Sequence, residues 1–414
     1  MLASDLIYVF AYLSGELTPQ LAGQLKLLPG LAGSVFSYDA AYLQMPGAYA
    51  LDPFALPLGS REFAFSKHQG ALLPGALEDA GPDQWGRQLI DREYPQMPRR
   101  SDFDYLLAAG NERTGALVFG ESPVYGEPED RECNHIEQLK DIEEAAQRVR
   151  AGLPIEQQHM RLLRRGTSLG GMRPKCLVED EGALWIAKFN ARDEDLDAVS
   201  LEYAAMTLAQ ACGIVVPHVR KVQFAKQHAA LLVMRFDRWP MAGGYGRIPY
   251  LSSKTLMRSY GIAMEGESPM EYGYPLLAEA MRATIAPLAI RQDCAQLFRR
   301  MVFNILIDNT DDHEKNHGFL LSPDGWRLSP AFDVSSQLLN LGYQGMVVGK
   351  AGTESTLENA LSESARFGLD QEMAVTIVNE VKDCLCIWEK HYLDCGVSEK
   401  AVEKVGQGFG KRKF

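Results

Sequence analysis

The stretch that decides the fold of this chain is NTDDHEKN, residues 309–316. It follows an apolar run, residues 297–307, in which large apolar side chains recur at helical spacing. Beyond it lie an apolar segment at residues 319–321, a Pro-Asp-Gly turn and a second strand-like segment at residues 326–328. Asp333 comes soon afterwards, so the sequence predicts a helix, a polar loop, a hairpin and then a carboxylate.

Three polar residues of this region have the order of protein-kinase catalytic residues. Four residues separate Asp311 from Asn316, and Asp333 follows the hairpin. Protein kinases place a catalytic Asp, then an Asn after four intervening residues, then a metal-binding Asp. Magnesium prefers oxygen ligands such as those of Asn and Asp, and a hydroxyl nucleophile needs a carboxylate that accepts its proton. We therefore expect Asp311 to be catalytic and Asn316 and Asp333 to bind magnesium.

Two other interpretations of this loop remain open from its residues alone. It could be a solvated, charged loop that caps a helix, because Asp and Asn are common in turns. It could also supply Asp311, Asp312 and His313 as ligands of a metal-dependent hydrolase, although adjacent residues on one loop rarely supply three ligands to one ion.

A second candidate element lies upstream, where GTSLGGMRPK occupies residues 166–175. Two strand-like segments follow, at residues 176–178 and 184–189, joined by a turn at residues 179–182. Glycines allow backbone N–H groups to approach phosphate oxygens closely. The segment matches neither GxxxxGK[ST] nor GxGxxG, so it predicts a phosphate loop only in combination with the catalytic residues.

Lys188 lies inside the second of these strand-like segments. A buried Lys is costly unless it is paired, and Glu202, in a helical pattern that follows, is the expected partner in a Lys–Glu pair of the kinase small lobe. The alternative is an edge-strand Lys whose amine reaches solvent.

Residues 229–238 form an apolar strand that ends in charged residues, and we expect a hinge there, where backbone groups would bind adenine.

Five motifs, taken in chain order, resemble the HipA family of bacterial serine/threonine kinases, which act as the toxins of toxin–antitoxin pairs. Residues 78–86, 105–110 and 114–117 resemble the amino-terminal region of that family, so the resemblance spans nearly the whole chain. The five motifs are SLGGMRPK (168–175), LWIAKF (184–189), LLVMRFDR (231–238), NTDDHEKNHGFL (309–320) and SPAFDV (329–334).

The resemblance implies a role for each matched position. Asp311 would be the catalytic Asp, and Asn316 and Asp333 would hold magnesium. Ser168 matches the serine that the family autophosphorylates, a modification that ejects the phosphate loop and silences the kinase. The residues implied to bind ATP are the loop residues Gly170, Gly171, Met172, Arg173, Pro174 and Lys175, then Lys188, the hinge residues Met234, Arg235 and Phe236, and finally His313, Glu314, Lys315 and Phe332.

The implied fold class is α+β, the two-lobed protein-kinase-like fold, with a mixed, β-rich N-terminal part and an α-helical C-terminal lobe. We expect a HipA N-terminal subdomain at residues 1–122, a small lobe with the phosphate loop at 123–236, and a helical large lobe with the catalytic loop at 237–414. The sequence pattern is helical from about residue 248 onward, including a helix at residues 270–282 that Pro275 is expected to interrupt.

The implied cofactors are ATP and Mg²⁺. The implied partners are a protein substrate such as an aminoacyl-tRNA synthetase and a small helix-turn-helix antitoxin, with DNA contacted only through the antitoxin. One alternative is a small-molecule kinase of the aminoglycoside-phosphotransferase type, which usually places a His before the catalytic Asp, whereas His313 follows Asp311. Another is a pseudokinase or corepressor that acts with an antitoxin, which the intact Asp311, Asn316 and Asp333 disfavour.

Composition agrees with a cytoplasmic enzyme. The 414 residues carry a net charge of −12 at pH 7, which disfavours a surface dominated by nucleic-acid or membrane binding. Seven cysteines without a CxxC motif indicate a reducing compartment. The sequence shows neither a basic leader nor an apolar run of membrane-spanning length, so we expect no membrane association.

Overall fold

The computed structural model describes residues 5–28, 30, 33–66, 72–96, 101–126, 133–190, 197–226, 228–337 and 341–409. Its strands are β1 (Leu6–Ala11), β2 (Gln20–Leu27), β3 (Gly33–Tyr38), β4 (Phe63–Ser66), β5 (Leu117–Gly120), β6 (Asn134–His135), β7 (Lys175–Asp180), β8 (Ala183–Phe189), β9 (Val219–Ala225), β10 (His228–Met234), β11 (Arg238–Met241), β12 (Gly244–Arg247), β13 (Tyr250–Ser252), β14 (Gly318–Ser322) and β15 (Gly325–Leu328). Its helices are α1 (Gly75–Asp79), α2 (Gln84–Glu93), α3 (Asp102–Ala108), α4 (Leu139–Arg150), α5 (Gln157–Arg164), α6 (Ala198–Ala211), α7 (Ser253–Glu265), α8 (Tyr274–Thr284), α9 (Ile290–Leu306), α10 (Leu357–Ser362), α11 (Gln371–Leu385), α12 (Trp388–Asp394) and α13 (Glu399–Phe409).

The chain divides into two compact units. The first comprises the described residues within Met1–Arg192, Gln223–Leu251 and Ser259–Ser268. The second comprises those within Asp193–Val222, Ser252–Arg258 and Pro269–Phe414. The expected three-part division at residues 122 and 236 stays a prediction. Within the described residues, no helix is both long enough and apolar enough to cross a membrane.

Besides the two-stranded sheet β11–β12, the first unit contains two larger sheets. One is antiparallel, with strand order β4-β3-β2-β1-β5. In β1 burial alternates only as far as Val9, and Phe10 and Ala11 at its end are buried as well. The other places β6, β7, β8 and β10 side by side. Its β7–β8 hairpin, which the sequence predicts, turns at Glu181 and Gly182, both with positive φ (50° and 72°), as a two-residue type I′ turn requires.

The second unit is mainly helical and is built around α9. Side chains on every side of this helix are buried, Leu297, Phe298, Met301 and Val302 among them, because α8, α10 and α11 pack against it. The apolar run at residues 297–307 belongs to a helical pattern that predicts a helix from residue 293 to residue 307, and this helix is confirmed, with its start three residues earlier at Ile290.

One detail of the predicted helices is wrong. Pro275 does not interrupt a helix at residues 270–282, because α8 begins at Tyr274 and Pro275 occupies its first turn. A proline is tolerated there because the N–H that it lacks would have no partner within the helix.

Candidate active site

The catalytic loop begins where α9 ends, and the end of α9 has a defined geometry. Asp308 has a φ of 57°, the left-handed conformation that commonly terminates helices. The N–H of Asn309 donates to the carbonyl of Asn304 at 2.9 Å, and the N–H of Asp308 donates to Ile305 at 3.4 Å. These two bonds form a Schellman motif, so the start of the loop is fixed by its own backbone.

The predicted catalytic residue Asp311 is exposed on this loop. The side-chain amide of Asn316 donates to the backbone carbonyl of Asp311 at 2.9 Å. Because the nitrogen of that amide is used in this bond, its oxygen remains the part of Asn316 that can coordinate a cation. The structure therefore brings Asn316 and the backbone of Asp311 together, and their metal-binding and catalytic roles stay predictions.

Asp312, the neighbour of Asp311, lies in a different environment. It is only 2% exposed, accepts a hydrogen bond from the hydroxyl of Tyr274, and lies 3.1 Å from Nε2 of His317. Asn304 donates to the Tyr274 hydroxyl at 3.2 Å. We call Asp312, Tyr274, His317 and Asn304 the anchor cluster.

The anchor cluster keeps Asp312 ionised. Burial alone would raise the pKa of this carboxyl, but His317 and the hydrogen bonds from Tyr274 and Asn304 outweigh burial, so the pKa of Asp312 lies below its ordinary value. Burial, with the negative charge of Asp312 nearby, raises the pKa of Tyr274. A charged Asp312 that is held by three neighbours fixes the backbone from which Asp311 projects.

The remaining predicted nucleotide contacts of this loop are half-buried. The carbonyl of Glu314 accepts the N–H of Lys254 at 2.8 Å, and the N–H of Ser253 donates to the carbonyl of His317 at 2.9 Å. Nδ1 of His313 accepts the N–H of Lys315 at 3.2 Å. The start of α7 thus holds the backbone at Glu314 and His317, and the nucleotide roles of His313, Glu314 and Lys315 stay predictions.

Asp333 follows the β14–β15 hairpin, as the sequence predicts, and its backbone is unusual. Its φ is 54°, a conformation that costs about 1–3 kcal/mol for a residue with a side chain and that clusters at functional sites. Both Asp333 and its neighbour Phe332 are half-buried. The metal-binding role of Asp333 stays a prediction.

The oxygen donors of this unit suit magnesium rather than a transition metal. No cluster of three or more His, Cys, Asp and Glu side chains with metal-binding geometry occurs among the residues that the structure describes. The amide oxygen of Asn316 and the carboxylate of Asp333 are hard ligands. Magnesium in phosphoryl-transfer sites commonly takes only one or two protein oxygens, because substrate phosphates and water complete its shell.

The glycine-rich loop lies in the first unit. Gly170 and Gly171 have φ values of 75° and 79°, which only glycine adopts without cost. Ser168 is 1% exposed, and its carbonyl accepts the N–H of Thr114 at 3.3 Å. Met172 is exposed and Arg173 half-buried. The carbonyl of Pro174 accepts the N–H of Phe189 at 3.2 Å, which ties the end of the loop to β8.

The two lysines predicted to contact phosphates are direct neighbours in the sheet. Lys175 of β7 pairs with Lys188 of β8, and both residues are buried. The contacts of the two lysines with phosphates stay predictions. Glu202 is buried in α6 of the other unit, and its ion pair with Lys188 stays a prediction.

The predicted hinge contains a buried ion network that the sequence did not indicate. The guanidinium of Arg235 donates to both carboxylate oxygens of Asp237, at 2.9 and 2.8 Å, and Arg238 donates to the same carboxylate at 2.9 Å. The backbone N–H of Arg235 donates to Leu184 at 2.9 Å, which removes that group from adenine recognition. Met234, Arg235 and Phe236 stay the predicted hinge residues.

The network also holds a segment of the amino-terminal region. The N–H of Gly115 donates to Asp237 at 2.7 Å, and Arg235 and Arg238 each donate to the carbonyl of Arg113 at 2.6 Å. Burial acts to raise the pKa of Asp237, but Arg235 and Arg238 outweigh it and lower that pKa well below its ordinary value. Sequence patterns could not reveal these contacts, because the partners lie more than 100 residues apart.

Comparisons with known proteins agree with this geometry. A serine/threonine-protein kinase toxin HipA of Shewanella oneidensis is 29% identical over 147 residues, which span 33% of this chain and 33% of that protein. A putative kinase, Y4mE, of Sinorhizobium fredii is 25% identical over 335 residues, 73% of this chain and 71% of that protein. The chain thus aligns with only a third of the first relative's length.

A solved structure matches nearly the whole fold. It is the Shewanella oneidensis HipA toxin–antitoxin complex with HipB and operator DNA, with a TM-score of 0.69 and 18% identity, covering 98% of this chain and 95% of that one. This match confirms the predicted α+β, two-lobed kinase-like fold class. The HipA N-terminal domain matches residues 16–120. Because the HipA-like C-terminal domain matches residues 167–388, just over half of the chain, the protein belongs to the HipA family.

Proposed function

We propose that this protein is an ATP-dependent protein serine/threonine kinase of the HipA toxin type. The observation that carries the proposal is the catalytic loop of the second unit. Asp311 is exposed, and Asn316 holds its backbone carbonyl at 2.9 Å. Asp333 follows the hairpin with a φ of 54°, a conformation that clusters at functional sites and so supports the proposal.

In this proposal the protein's own residues divide the work of phosphoryl transfer. Asp311 orients the substrate hydroxyl and accepts its proton. The oxygens of Asn316 and Asp333 hold magnesium, which when bound neutralises charge on the phosphates. Lys175 and Lys188 supply positive charge to ATP, and the glycine-rich loop covers its phosphates. Transfer therefore depends on positioning and electrostatics rather than on covalent catalysis.

The substrate is a protein hydroxyl group, and a translation component such as an aminoacyl-tRNA synthetase is the proposed target. The proposed partner is a small helix-turn-helix antitoxin, since the structurally similar HipA is described in complex with HipB and operator DNA. We also propose that the kinase phosphorylates its own Ser168 and works in the cytoplasm.

The test is incubation of the purified protein with a lysate of its host, Mg²⁺ and γ-labelled ATP, followed by phosphosite mapping. Asp311→Asn is the inactive variant, and we expect it to lower transfer by about 10²–10⁴-fold, the usual contribution of a positioned base. Asp324→Asn, in the exposed β14–β15 turn, is the matched control and should act as wild type.

Three outcomes separate the alternatives. Labelled Ser or Thr residues that appear with wild type and not with Asp311→Asn support the protein kinase. Label found only in small metabolites would support the aminoglycoside-phosphotransferase type. Tight nucleotide binding without any transfer would favour a pseudokinase.

A further inference from the structure

The start of α2 makes contacts that an ordinary helix start would not make. Asp83 is the N-cap residue of α2, but its side chain forms no capping hydrogen bond to its own helix. An Asp at this position normally accepts an N–H of the first helical turn. Asp197 and Asp370 do so at the starts of α6 and α11, at 3.0 and 2.8 Å.

The Asp83 carboxylate instead binds the glycine-rich loop. Its Oδ2 accepts the N–H of Gly171 at 2.9 Å, across 88 residues of sequence. A hydrogen bond to an ionised acceptor is about twice as strong as one between neutral groups. The backbone of Gly171 is also held from its other side, because its carbonyl accepts the N–H of Trp85 at 3.3 Å.

Two further contacts hold the ends of the same loop. The indole N–H of Trp85, a side chain only 1% exposed, donates to the carbonyl of Lys175 at 3.0 Å. Gly86 lies so close to the loop that a β-carbon there would be 1.8 Å from the carbonyl of Thr167. Residues 83–86 therefore touch the beginning, the middle and the end of the loop, and we call them the α2 clasp.

We propose that the α2 clasp positions the glycine-rich loop for nucleotide binding, with Asp83 and Trp85 as positioning residues. The loop has two consecutive residues with positive φ, Gly170 and Gly171, and glycine gains more conformational freedom than any other residue when it is released. Such a loop adopts one conformation only where its surroundings fix it. The clasp supplies that constraint from the amino-terminal region.

The α2 clasp also keeps Ser168 buried within the glycine-rich loop. Ser168 is 1% exposed. It lies in the loop between Thr167, which Gly86 approaches closely, and Gly171, which Asp83 binds. When the clasp is intact, a phosphate cannot be placed on Ser168 without opening the loop. Residues 83–86 thus determine how often that serine becomes accessible, and they link the amino-terminal region to the state of the nucleotide site. The nucleotide part of this inference rests on the proposed kinase function, whereas the loop-holding part does not.

The test uses the full chain and measures amide hydrogen exchange of residues 166–175 without nucleotide. Asp83→Ala removes the acceptor and should speed exchange of these amides by at least about tenfold, as expected for loss of one charged hydrogen bond. Asp83→Asn retains an oxygen acceptor and should restore most of the protection. Asp370→Ala, which removes a conventional helix cap, should leave exchange of the loop unchanged.

Trp85→Phe keeps an aromatic ring at this buried position but removes the indole N–H together with part of the ring volume. It should speed exchange at the Lys175 end of the loop and keeps the inference testable if Asp83→Ala folds poorly. Loop exchange that stays at the wild-type rate in both Asp83→Ala and Trp85→Phe would overturn the inference. So would Asp83→Asn exchanging as fast as Asp83→Ala, since the hydrogen bond would then not hold the loop.

Nucleotide binding supplies the functional readout. Asp83→Ala should raise the KM for ATP about tenfold, with a smaller change in kcat, because the loop rather than the catalytic Asp is disturbed. A lower kcat with an unchanged KM would contradict a positioning role. If the wild-type protein binds no ATP, the proposed function fails, and the exchange experiment alone then decides whether the clasp exists.

Discussion

At the scale of single residues, two adjacent aspartates of the catalytic loop show how environment separates roles. Asp311 is exposed, whereas Asp312 is buried against Tyr274 and His317. A ligand site built from Asp311, Asp312 and His313, the hydrolase alternative, does not fit this arrangement, because the anchor cluster occupies Asp312. The two adjacent Asp residues could not be distinguished from the sequence alone, because Tyr274, which contacts Asp312, lies 38 positions away in α8.

The predicted metal ligands can be tested separately from the catalytic base. Asp333→Ala or Asn316→Ala should weaken Mg²⁺-dependent nucleotide binding by about tenfold or more, because each removes an oxygen from an ion that bridges phosphates. Isothermal titration with an ATP analogue, with Mg²⁺ and with EDTA, measures the effect. Asp324→Ala is the control, and equal affinities of the two ligand variants and wild type in Mg²⁺ would refute the metal role.

The Asn316 variant carries a second effect that the Asp333 variant lacks. Asn316 also donates to the carbonyl of Asp311, so its loss should disturb the catalytic loop even without metal. We therefore expect kcat at saturating Mg²⁺ to fall in Asn316→Asp as well as in Asn316→Ala, because a carboxylate keeps an oxygen ligand but cannot donate to that carbonyl.

At the scale of elements, the hinge strand β10 leads into a buried ion pair whose stability depends on pH. The folded-state pKa of Asp237 lies below its unfolded value, so its contribution is fully present above about pH 4 and is lost as pH falls through the folded pKa. Asp237→Asn should destabilise the protein by about 3–5 kcal/mol, because it removes the charged acceptor that both buried arginines hydrogen-bond and leaves Glu112, 3.7 Å from Arg235, as the nearby carboxylate.

Urea unfolding at several pH values measures this prediction. The difference in unfolding free energy between wild type and Asp237→Asn should be the same at pH 7 and pH 5, and it should shrink below about pH 4. Asp324→Asn, an exposed turn residue, should show no difference at any pH. A wild-type advantage that grows toward low pH would contradict the direction of the pKa shift.

The glycine-rich loop is the element in which modification should have the largest effect. Ser168 is buried, and no described group hydrogen-bonds to its hydroxyl. A phosphate there would bring about −2 charge and three acceptor oxygens into a packed site, so the loop must leave that site. Ser168→Asp should therefore bind ATP more weakly than wild type, whereas Ser168→Ala should bind it as wild type does.

Mass spectrometry completes this prediction. Protein expressed alone should carry phosphate on Ser168, and the Asp311→Asn variant should carry none. Phosphate on Ser168 of the inactive variant would show that another kinase places it. Equal ATP affinity of Ser168→Asp and wild type would remove the switch and leave the kinase assignment intact.

At the scale of the whole molecule, the elements could be predicted better than the contacts between them. Periodicity and turn residues indicated α9, the β7–β8 hairpin and the β14–β15 hairpin, because each depends on neighbours in sequence. The motif at residues 82–86 could be read only as a helix start. Its contacts with the glycine-rich loop join residues about 90 positions apart, and no local pattern encodes such a distance.

The net charge of the whole chain predicts whether the protein binds DNA without a partner. Phosphate contacts by Lys and Arg dominate the affinity of DNA-binding proteins, and this chain carries a net charge of −12. The protein alone should therefore show no measurable DNA binding at about 150 mM salt, and a complex on operator DNA should form only when a basic helix-turn-helix partner is added. Mobility-shift titrations with and without that partner measure this. A shift by the protein alone, with a steep salt dependence, would mean that it has a DNA-binding surface of its own.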